Sequence, residues 1–569
     1  MICRLVLLCL ACPIAPVSAQ NRLLPLGDSI TEGSQGGPFS EIHFRGGYRY
    51  YLERYLEGSE GGAAGFSFTG SVTESAGTIV SYAGPWYPGD VAKPLNHPLH
   101  SGYSGSWIAG ITSRVLNDTI PVADSDVIFL QIGTNDMVPS SATPVPASPA
   151  DITTWIEDYA YLLDSILAKN SSVKVIMAKI PPVTSSWEYG NIATNAARIE
   201  PFNTLVVEPV YQYYAAARPG QFFLVDNYAP LDPLNVEDSY DTATNDTDFL
   251  TVGGDGIHPY NAGHRKIAVN FWKARQLAKG RAAAELITPH DGGGDDACIR
   301  ESGSTPNGLI VERQPFVRSS TNASERGKYY LKLDLSGKPK YWEDARFNLV
   351  FWGGPNEEPG FSNCVNDAPS ATILKLYGIP DGADAWSGAG ITWSNAPGNE
   401  INGNSVTGTY LGDLIIPAGA QTGDVISVSS PALRDFVNHQ RGLDGLLTFA
   451  VTGDGANPGY FPSFQDSDFR DYASSFLQLT RTTALPTAAD LRILTHEFDL
   501  AATPVPKVAV TFSSDSSRTY LLSGSTDLQR FDAVLAAGIE GAAAESSTTV
   551  VADLPASPGG RFFIRIEQE

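Results

Sequence analysis

Apolar runs with strand character alternate with amphipathic helical stretches through the first half of this 569-residue chain. The strand candidates are short, apolar and bounded by turn residues, and they lie at residues 22–26, 66–69, 126–132, 173–180 and 222–225. Between them, apolar side chains recur at helical spacing, as in segments 48–56 and 152–166. Strands buried on both faces and separated by such helices predict a parallel sheet covered by helices on each side. A last helix, from Ala262 to about Leu286, is expected to close this α/β domain.

The second half of the chain has a different texture. A stretch rich in Gly and Asp, residues 288–297, predicts a linker after a first domain that spans residues 20–287. Residues 298–481 contain short apolar runs separated by Gly, Pro, Asn and Asp, a pattern typical of an antiparallel β-sandwich. A further linker and a small C-terminal β domain are expected in residues 482–569.

The N-terminus has the architecture of an export signal. Residues 1–19 combine an early Arg4, an apolar core and small residues at the end, which predicts a signal peptide cleaved before Gln20. A lipoprotein signal is the alternative, because Cys12 follows Leu10 and Ala11. We therefore expect a secreted, periplasmic or cell-surface protein, with no membrane span in the mature chain.

Composition narrows the choice of partners and cofactors. The formal net charge of −24 disfavours binding to nucleic acid, because that binding needs clustered Lys and Arg side chains. Outside the signal region the only cysteines are Cys298 and Cys364. They allow one disulfide and exclude a four-cysteine metal site. The acidic segment 231–254 offers oxygen ligands for calcium, but its spacing matches no EF-hand, and a solvated acidic loop is the alternative.

Two motifs with candidate functional residues lie in the first part of the α/β domain. In LLPLGDSITEG, residues 23–33, Ser29 comes directly after an apolar run and a Gly-Asp turn. This position predicts either a nucleophile or the N-cap of a helix. In HSGYSGSWIAGI, residues 100–111, Gly105 precedes a helix, where its N–H could point at developing negative charge. A turn glycine needed for a positive φ is the alternative there.

Two more motifs follow in the second part. VIFLQIGTNDM, residues 127–137, ends a buried strand with Asn135, whose amide either donates to an oxyanion or caps an Asx turn. In GGDGIHPYNAGHRKIA, residues 253–268, Asp255 and His258 have the spacing of a carboxylate that orients a general base; a capped His-Pro loop is the alternative. Functional loops of a parallel sheet gather at the carboxyl ends of its strands, so the four motifs are expected to meet.

In this order, the motifs resemble those of the SGNH hydrolase (GDSL esterase) superfamily. The expanded forms LPLGDSITEG, GGYRYYL, HSGYSGSWI, IGTND and DGIHPYNAGH are most similar to family 3 carbohydrate esterases, which are acetyl xylan esterases. The resemblance covers about residues 21–280 and implies a three-layer α/β/α fold with a parallel, flavodoxin-like sheet. It also implies a mechanism that needs no cofactor.

The resemblance assigns a role to each motif residue. It implies that Ser29 attacks an ester, that His258 takes its proton and that Asp255 orients the imidazole. The implied oxyanion hole consists of the N–H groups of Ser29 and Gly105 and the side chain of Asn135. The candidate substrate-binding residues are Asp28, Trp107 and Tyr260.

The sandwich has a resemblance of its own. KYYLKLDLSG, ITWSNAP and LLTFAVTG are similar to segments of DNRLRE-type modules, which are related to carbohydrate-binding modules. This implies a domain that tethers the enzyme to a glycan, with a structural spacer as the alternative. We therefore expect a secreted serine esterase that removes acetyl groups from polysaccharide such as acetylated xylan. The alternatives are an esterase or lipase acting on small or lipid-like esters, and a non-catalytic glycan-binding surface protein.

Overall fold

We describe a computed structural model of the chain. It describes residues 21–33, 46–73, 95–137, 145–184, 192–234, 236–237, 249–250, 256–259, 261–301, 315–322, 326–339, 342–352, 371–380, 382, 384–420, 423–439, 444–453, 462–464, 473–482, 493–499, 507–513, 519–525, 533–540, 547–554 and 563–568. Several predictions concern residues outside these ranges: the signal peptide, Asp255, Tyr260, Cys364 and most of the acidic segment 231–254.

A seven-stranded sheet forms the centre of the first domain. Its strands are β1 (Asn21–Gly27), β2 (Phe66–Phe68), β3 (Val72–Thr73), β4 (Leu99–Gly102), β5 (Val127–Gln131), β6 (Lys174–Ala178) and β7 (Phe222–Val225). Their order is β3-β4-β1-β5-β6-β7, and β2 also pairs with β1. All neighbouring strands run parallel except β3 and β4. A short parallel pair, β8 (Val236–Glu237) and β9 (Phe249–Leu250), lies apart from the sheet.

Helices cover both faces of this sheet. The separate helices are α1 (Ser29–Glu32), α2 (Tyr48–Glu60), α3 (Ile108–Leu116), α4 (Thr134–Met137), α5 (Pro149–Lys169) and α9 (Asn261–Ala278). Between α5 and α9, a continuous helical segment from Ile192 to Ala217 contains α6 (Ile192–Thr194), α7 (Glu200–Phe202), α8 (Glu208–Ala217) and two π-helical turns. Alternate side chains of the strands pack against α2 and α9 on one face of the sheet. On the other face they pack against α3, α5 and the helical segment 192–217. The predicted three-layer α/β/α fold is confirmed, with one antiparallel edge strand added.

Two antiparallel sheets form the predicted β-sandwich. The first contains β10 (Ala283–Ile287), β13 (Asp344–Trp352), β16 (Val425–Ser429), β18 (Ser463–Phe464) and β19 (Phe476–Arg481); the second contains β11 (Asp295–Arg300), β12 (Gly327–Asp334), β14 (Thr372–Ile379), β15 (Thr409–Ile416) and β17 (Leu446–Gly453). A core of apolar side chains fills the space between them, and helix α10 (Pro431–His439) packs beside it. Beyond the sandwich, two three-stranded sheets form the C-terminal part: β20 (Ile493–Asp499), β21 (Lys507–Ser513) and β24 (Ser547–Asp553), and β22 (Thr519–Ser525), β23 (Ala533–Glu540) and β25 (Phe563–Gln568).

The junction between the first domain and the sandwich differs from the sequence prediction. Helix α9 ends at Ala278 rather than near Leu286, because Gly280 takes a left-handed φ of 86° and its N–H bonds to the Leu277 carbonyl. Residues 283–287, predicted as helix, are strand β10 of the sandwich. The predicted linker, 288–297, likewise overlaps strand β11, which starts at Asp295.

Within the described part of the chain, no helix has both the length and the apolar character required to cross a membrane.

Candidate active site

The nucleophile candidate Ser29 stands where strand β1 turns into helix α1. Asp28 is the N-cap of this helix, and its Oδ1 accepts the backbone N–H of Ile30 at 3.1 Å. Ser29 occupies the first helical position, and its Oγ lies 2.7 Å from Nε2 of His258. The capping role that the sequence left open for Ser29 is therefore taken by Asp28, and the Ser29 hydroxyl interacts with an imidazole.

The same contact changes the interpretation of Asp28, which the sequence analysis gave as a candidate substrate-binding residue. Its side chain is buried, with a relative exposure of 0%. The capping contact gives Asp28 a structural role in the first turn of the helix that carries Ser29. Contact between Asp28 and a substrate stays a prediction.

His258 lies in the short segment 256–259 that precedes helix α9. The carbonyl of the neighbouring Gly256 accepts the N–H of Thr184 at 2.8 Å, so this segment is fixed to the loop after strand β6. Asp255 and Tyr260 flank the segment but lie outside the described residues, so their roles stay predictions.

The turn that contains Gly105 follows strand β4 and leads into helix α3. Gly105 has a φ of 69°, a conformation that favours glycine. Within the described residues, neither its N–H nor that of Ser29 has a hydrogen-bond acceptor. Gly102, at the end of β4, allows the backbone of α1 to come close: a Cβ there would lie 2.3 Å from the Glu32 nitrogen. The two elements that present these N–H groups are therefore directly packed together.

Two adjacent side chains after strand β5 fix this turn from the other side. Nδ2 of Asn135 donates to the Ser106 carbonyl at 3.0 Å. The carboxylate of Asp136 accepts the N–H of Ile108, the first residue of α3, at 3.2 and 3.3 Å. Because an amide nitrogen has two hydrogens, Asn135 retains one that is available to a second acceptor. Asp136 caps a helix on a different segment of the chain.

Two carboxyl groups near Ser29, one buried and one partly buried, have altered acidity. Burial raises the pKa of Asp28 to about 6, although the Ile30 N–H and the neighbouring His258 counteract this. Burial also raises the pKa of Asp136 to about 7, and the negative charge of Asp28 adds to the shift. Behind α1, burial lowers the pKa of His264 to about 3, so this imidazole is neutral at physiological pH.

Aromatic side chains flank the turn. Trp107 follows Ser106, precedes helix α3 and is 62% exposed. The ring of Tyr103 lies under the guanidinium of Arg114, which is 4.0 Å from the ring centroid. A large exposed indole beside candidate oxyanion donors offers a flat surface for a sugar ring.

Sequence reasoning missed two residues that support the site. Asp136 was present in the IGTND motif but received no role. Arg49, in GGYRYYL, is buried and donates from Nε to the Thr31 carbonyl and from Nη2 to the Glu32 carbonyl, each at 2.8 Å. A charged residue in an otherwise aromatic helical stretch is the signal that could have identified Arg49.

The motif that carried the resemblance of the sandwich has a structural role. Trp393, in TWSNAP, is 4% exposed, and its Nε1 donates to the Ile401 carbonyl at 2.9 Å. The ammonium of Lys328 lies 4.5 Å from the centre of this ring and also donates to Asn399. These residues stabilise a loop on the outer face of the second sheet, so Trp393 presents no face to a glycan. Carbohydrate binding by the sandwich stays a prediction.

Among the described residues, no cluster of three or more His, Cys, Asp or Glu side chains could bind a metal ion. The calcium prediction concerns segment 231–254, most of which lies outside the described residues. The pairing of Cys298 with Cys364 stays open for the same reason.

Comparison with known proteins identifies a family for the first domain. Residues 23–271 match the family described as GDSL-like Lipase/Acylhydrolase. No curated protein matches the chain. Among solved structures, the chain is similar to a family 3 carbohydrate esterase of Clostridium thermocellum, at 23% identity and a TM-score of 0.30, over 46% of this chain and 98% of that one. It is also similar to a family 3 carbohydrate esterase of Talaromyces cellulolyticus, at 22% identity and a TM-score of 0.31, over 46% and 99% of the two chains.

Proposed function

Because residues 23–271 form a domain of the GDSL-like lipase/acylhydrolase family, we propose that this protein is a serine esterase that removes acetyl groups from an extracellular polysaccharide such as acetylated xylan. The class, a carboxylic ester hydrolase, follows from the family. The observation that carries the mechanism is the 2.7 Å contact between Ser29 Oγ and His258 Nε2. This is the distance at which a general base takes the proton of a nucleophilic hydroxyl.

In the first half of the reaction, Ser29 Oγ attacks the acyl carbonyl while its proton passes to His258 Nε2. The carbonyl oxygen becomes an oxyanion that accepts the N–H groups of Ser29 and Gly105 and the second amide hydrogen of Asn135. The intermediate then collapses, the bond to the sugar oxygen breaks, and His258 returns the proton to the leaving alkoxide. An acyl-serine remains.

In the second half, water attacks the acyl-serine while His258 accepts one of its protons. The same donors stabilise the second oxyanion, and collapse releases the carboxylic acid with the proton returned to Ser29. Asp255 would accept the other imidazole N–H and stabilise the imidazolium formed in each half.

A carbohydrate substrate is supported by the position of Trp107. Its exposed indole adjoins the turn that contains Gly105, so a sugar ring stacked on it would bring a neighbouring acyl group towards Ser29. Export of the protein, proposed from residues 1–19, would give it access to such a polymer.

The proposal is tested by acetate release from acetylated xylan, beside p-nitrophenyl esters of increasing chain length. The variant is Ser29→Ala, and the matched control is Ser172→Ala, which removes an exposed hydroxyl that donates to the Asn170 side chain in the turn before β6. We expect xylan deacetylation that disappears in Ser29→Ala and persists in Ser172→Ala. Turnover confined to the small or longer-chain esters would support the alternative esterase or lipase. Absence of turnover in the wild type would favour the non-catalytic glycan-binding alternative.

A further inference from the structure

Helix α2 connects the candidate nucleophile to the β-sandwich. At its start, Arg49 binds the Thr31 and Glu32 carbonyls at the end of α1, and the Tyr48 hydroxyl lies 3.3 Å from Thr31 Oγ1. Because α1 is only four residues long, these contacts at its end hold it in place together with strand β1, which leads directly into Ser29. A shift of α2 would therefore also shift α1 and the Ser29 side chain.

The other end of α2 is covered by the first sheet of the sandwich. Nε2 of Gln478, on β19, donates to the Tyr55 carbonyl at 2.6 Å, and the rings of Tyr55 and Phe476 meet edge to face at 5.0 Å. Gly58 packs so closely that a Cβ there would lie 2.8 Å from both Asn348 Oδ1 and Gln478 Oε1. Each residue of α2 from Tyr48 to Gly58 is buried, whereas a helix on the surface of a single domain exposes one face.

A buried ion cluster lies within this interface. The guanidinium of Arg54 contacts the carboxylates of Glu53 at 2.8 Å and Glu57 at 3.0 Å, and the side-chain exposures are 0%, 0% and 3%. Burial alone would lower the pKa of Arg54, but the two carboxylates raise it above its usual value. Gly423 of the sandwich approaches this guanidinium, which would lie 3.1 Å from a Cβ there. The sandwich therefore excludes water from the cluster.

The same ion cluster also contacts the segment that leads to strand β4 and the turn that contains Gly105. The carboxylate of Glu53 accepts the N–H groups of Asn96 and His97, each at 2.9 Å. These residues lead directly into β4, whose end adjoins the turn that contains Gly105. One face of the sandwich thus contacts helix α2, and α2 in turn holds both α1 and the segment that leads into β4.

We propose that the β-sandwich is a fixed support of helix α2, and that its contact with α2 positions Ser29 and the Gly105 turn for turnover. The connection is short, since α9 ends at Ala278 and β10 begins at Ala283. This role goes beyond glycan tethering and applies to soluble substrates too. It rests on Ser29 being the nucleophile.

The test uses the full-length protein and p-nitrophenyl acetate, a substrate that needs no glycan contact. The interface variants are Gln478→Ala, which removes the bond to Tyr55, and Gly58→Leu, which inserts a wedge between α2 and the sheet. The matched control is Asn438→Ala, which removes two hydrogen bonds to Trp342 inside the sandwich and does not touch α2. Thermal unfolding is measured for each variant, and only variants that are folded at the assay temperature are compared.

We expect the interface variants to lower kcat at least fivefold with KM within about twofold, and to slow labelling of Ser29 by a fluorophosphonate in parallel. Asn438→Ala should lose a comparable amount of thermal stability and keep its kcat. The proposal is overturned if folded Gln478→Ala retains wild-type kcat and labelling, or if Asn438→Ala loses as much activity as the interface variants. Labelling and turnover of the wild type come first, so failure of Ser29 as the nucleophile is recognised separately.

Discussion

Asp28 caps the helix that begins with Ser29: its Oδ1 accepts the N–H of Ile30 at 3.1 Å. The cap and the nucleophile candidate are thus adjacent residues with separate tasks. Because the carboxylate supplies the acceptor, the hydroxyl is directed to His258, 2.7 Å away. This division of roles leads to the first prediction.

Replacing Asp28 with Ala removes the cap. We expect the free energy of unfolding to fall by about 1–2 kcal/mol and kcat to fall on the order of tenfold, because the first turn of α1 loosens. Asp28→Asn retains an acceptor oxygen and should keep most of the kcat. Urea denaturation and p-nitrophenyl acetate turnover measure both effects. Wild-type stability and turnover in Asp28→Ala would contradict this role.

The acidity of Asp136 predicts a dependence of stability on pH. Burial and the charge of Asp28 raise its pKa from 3.8 to about 7, so the folded state favours the protonated carboxyl. The stabilisation is present below about pH 4 and is lost as the pH rises through about 7. Asp136→Asn removes this titration and retains an oxygen that accepts the Ile108 N–H.

Urea unfolding between pH 5 and pH 8 checks this. Relative to Asp136→Asn, the wild type should lose stability on the order of a few kcal/mol across that range. Asp118→Asn, which removes an exposed carboxylate paired with Lys169 at 2.6 Å, is the control. Parallel profiles for the wild type and Asp136→Asn would show that the Asp136 carboxyl has no such influence.

Asn135→Ala should reduce kcat by about 10²–10³-fold with a smaller change in KM. The variant loses an oxyanion donor and the hydrogen bond to the Ser106 carbonyl. Asn117→Ala, at the far end of α3, removes an exposed amide and should behave as the wild type. Steady-state kinetics on p-nitrophenyl acetate measure the difference, and a loss below tenfold would argue against an oxyanion contact.

Trp107→Ala should lower kcat/KM on acetylated xylan about five- to tenfold more than on p-nitrophenyl acetate, because only the polymer offers a sugar ring to stack. Tyr161→Ala, which removes an aromatic ring that is 57% exposed on α5, is the control. Acetate release measured beside ester turnover gives both values. Equal losses on the two substrates would exclude a sugar platform at Trp107.

The sequence predicted the architecture of the first domain because local pattern encodes it. Apolar runs bounded by turn residues placed β1, β5, β6 and β7 within a few residues, and helical spacing located α2 and α5. The α/β/α fold is confirmed, and residues 23–271 match the GDSL-like lipase/acylhydrolase family, in line with the predicted ester hydrolase class. The order of the motifs brought Ser29, Gly105, Asn135 and His258 into consideration, and their catalytic roles stay predictions.

Local pattern was weaker wherever one segment depends on another. The end of α9 was misplaced because the apolar residues of β10 suit a helix as well as a strand, and pairing with β19 decides between them. The TWSNAP pattern did not show whether Trp393 is exposed, and packing beside Lys328 decides that its ring is buried.

The sequence by itself determined strands β1, β5, β6 and β7, helices α2 and α5, and the order in which the reactive side chains follow them, since these features depend on residues near one another. Tertiary structure decided that Asp136 caps α3, 28 residues away along the chain, and that the sandwich lies against α2. The bond between Gln478 and Tyr55 joins residues 423 positions apart, a separation at which no local periodicity carries information. Such contacts arise only when complete elements pack and exclude water from the polar groups between them.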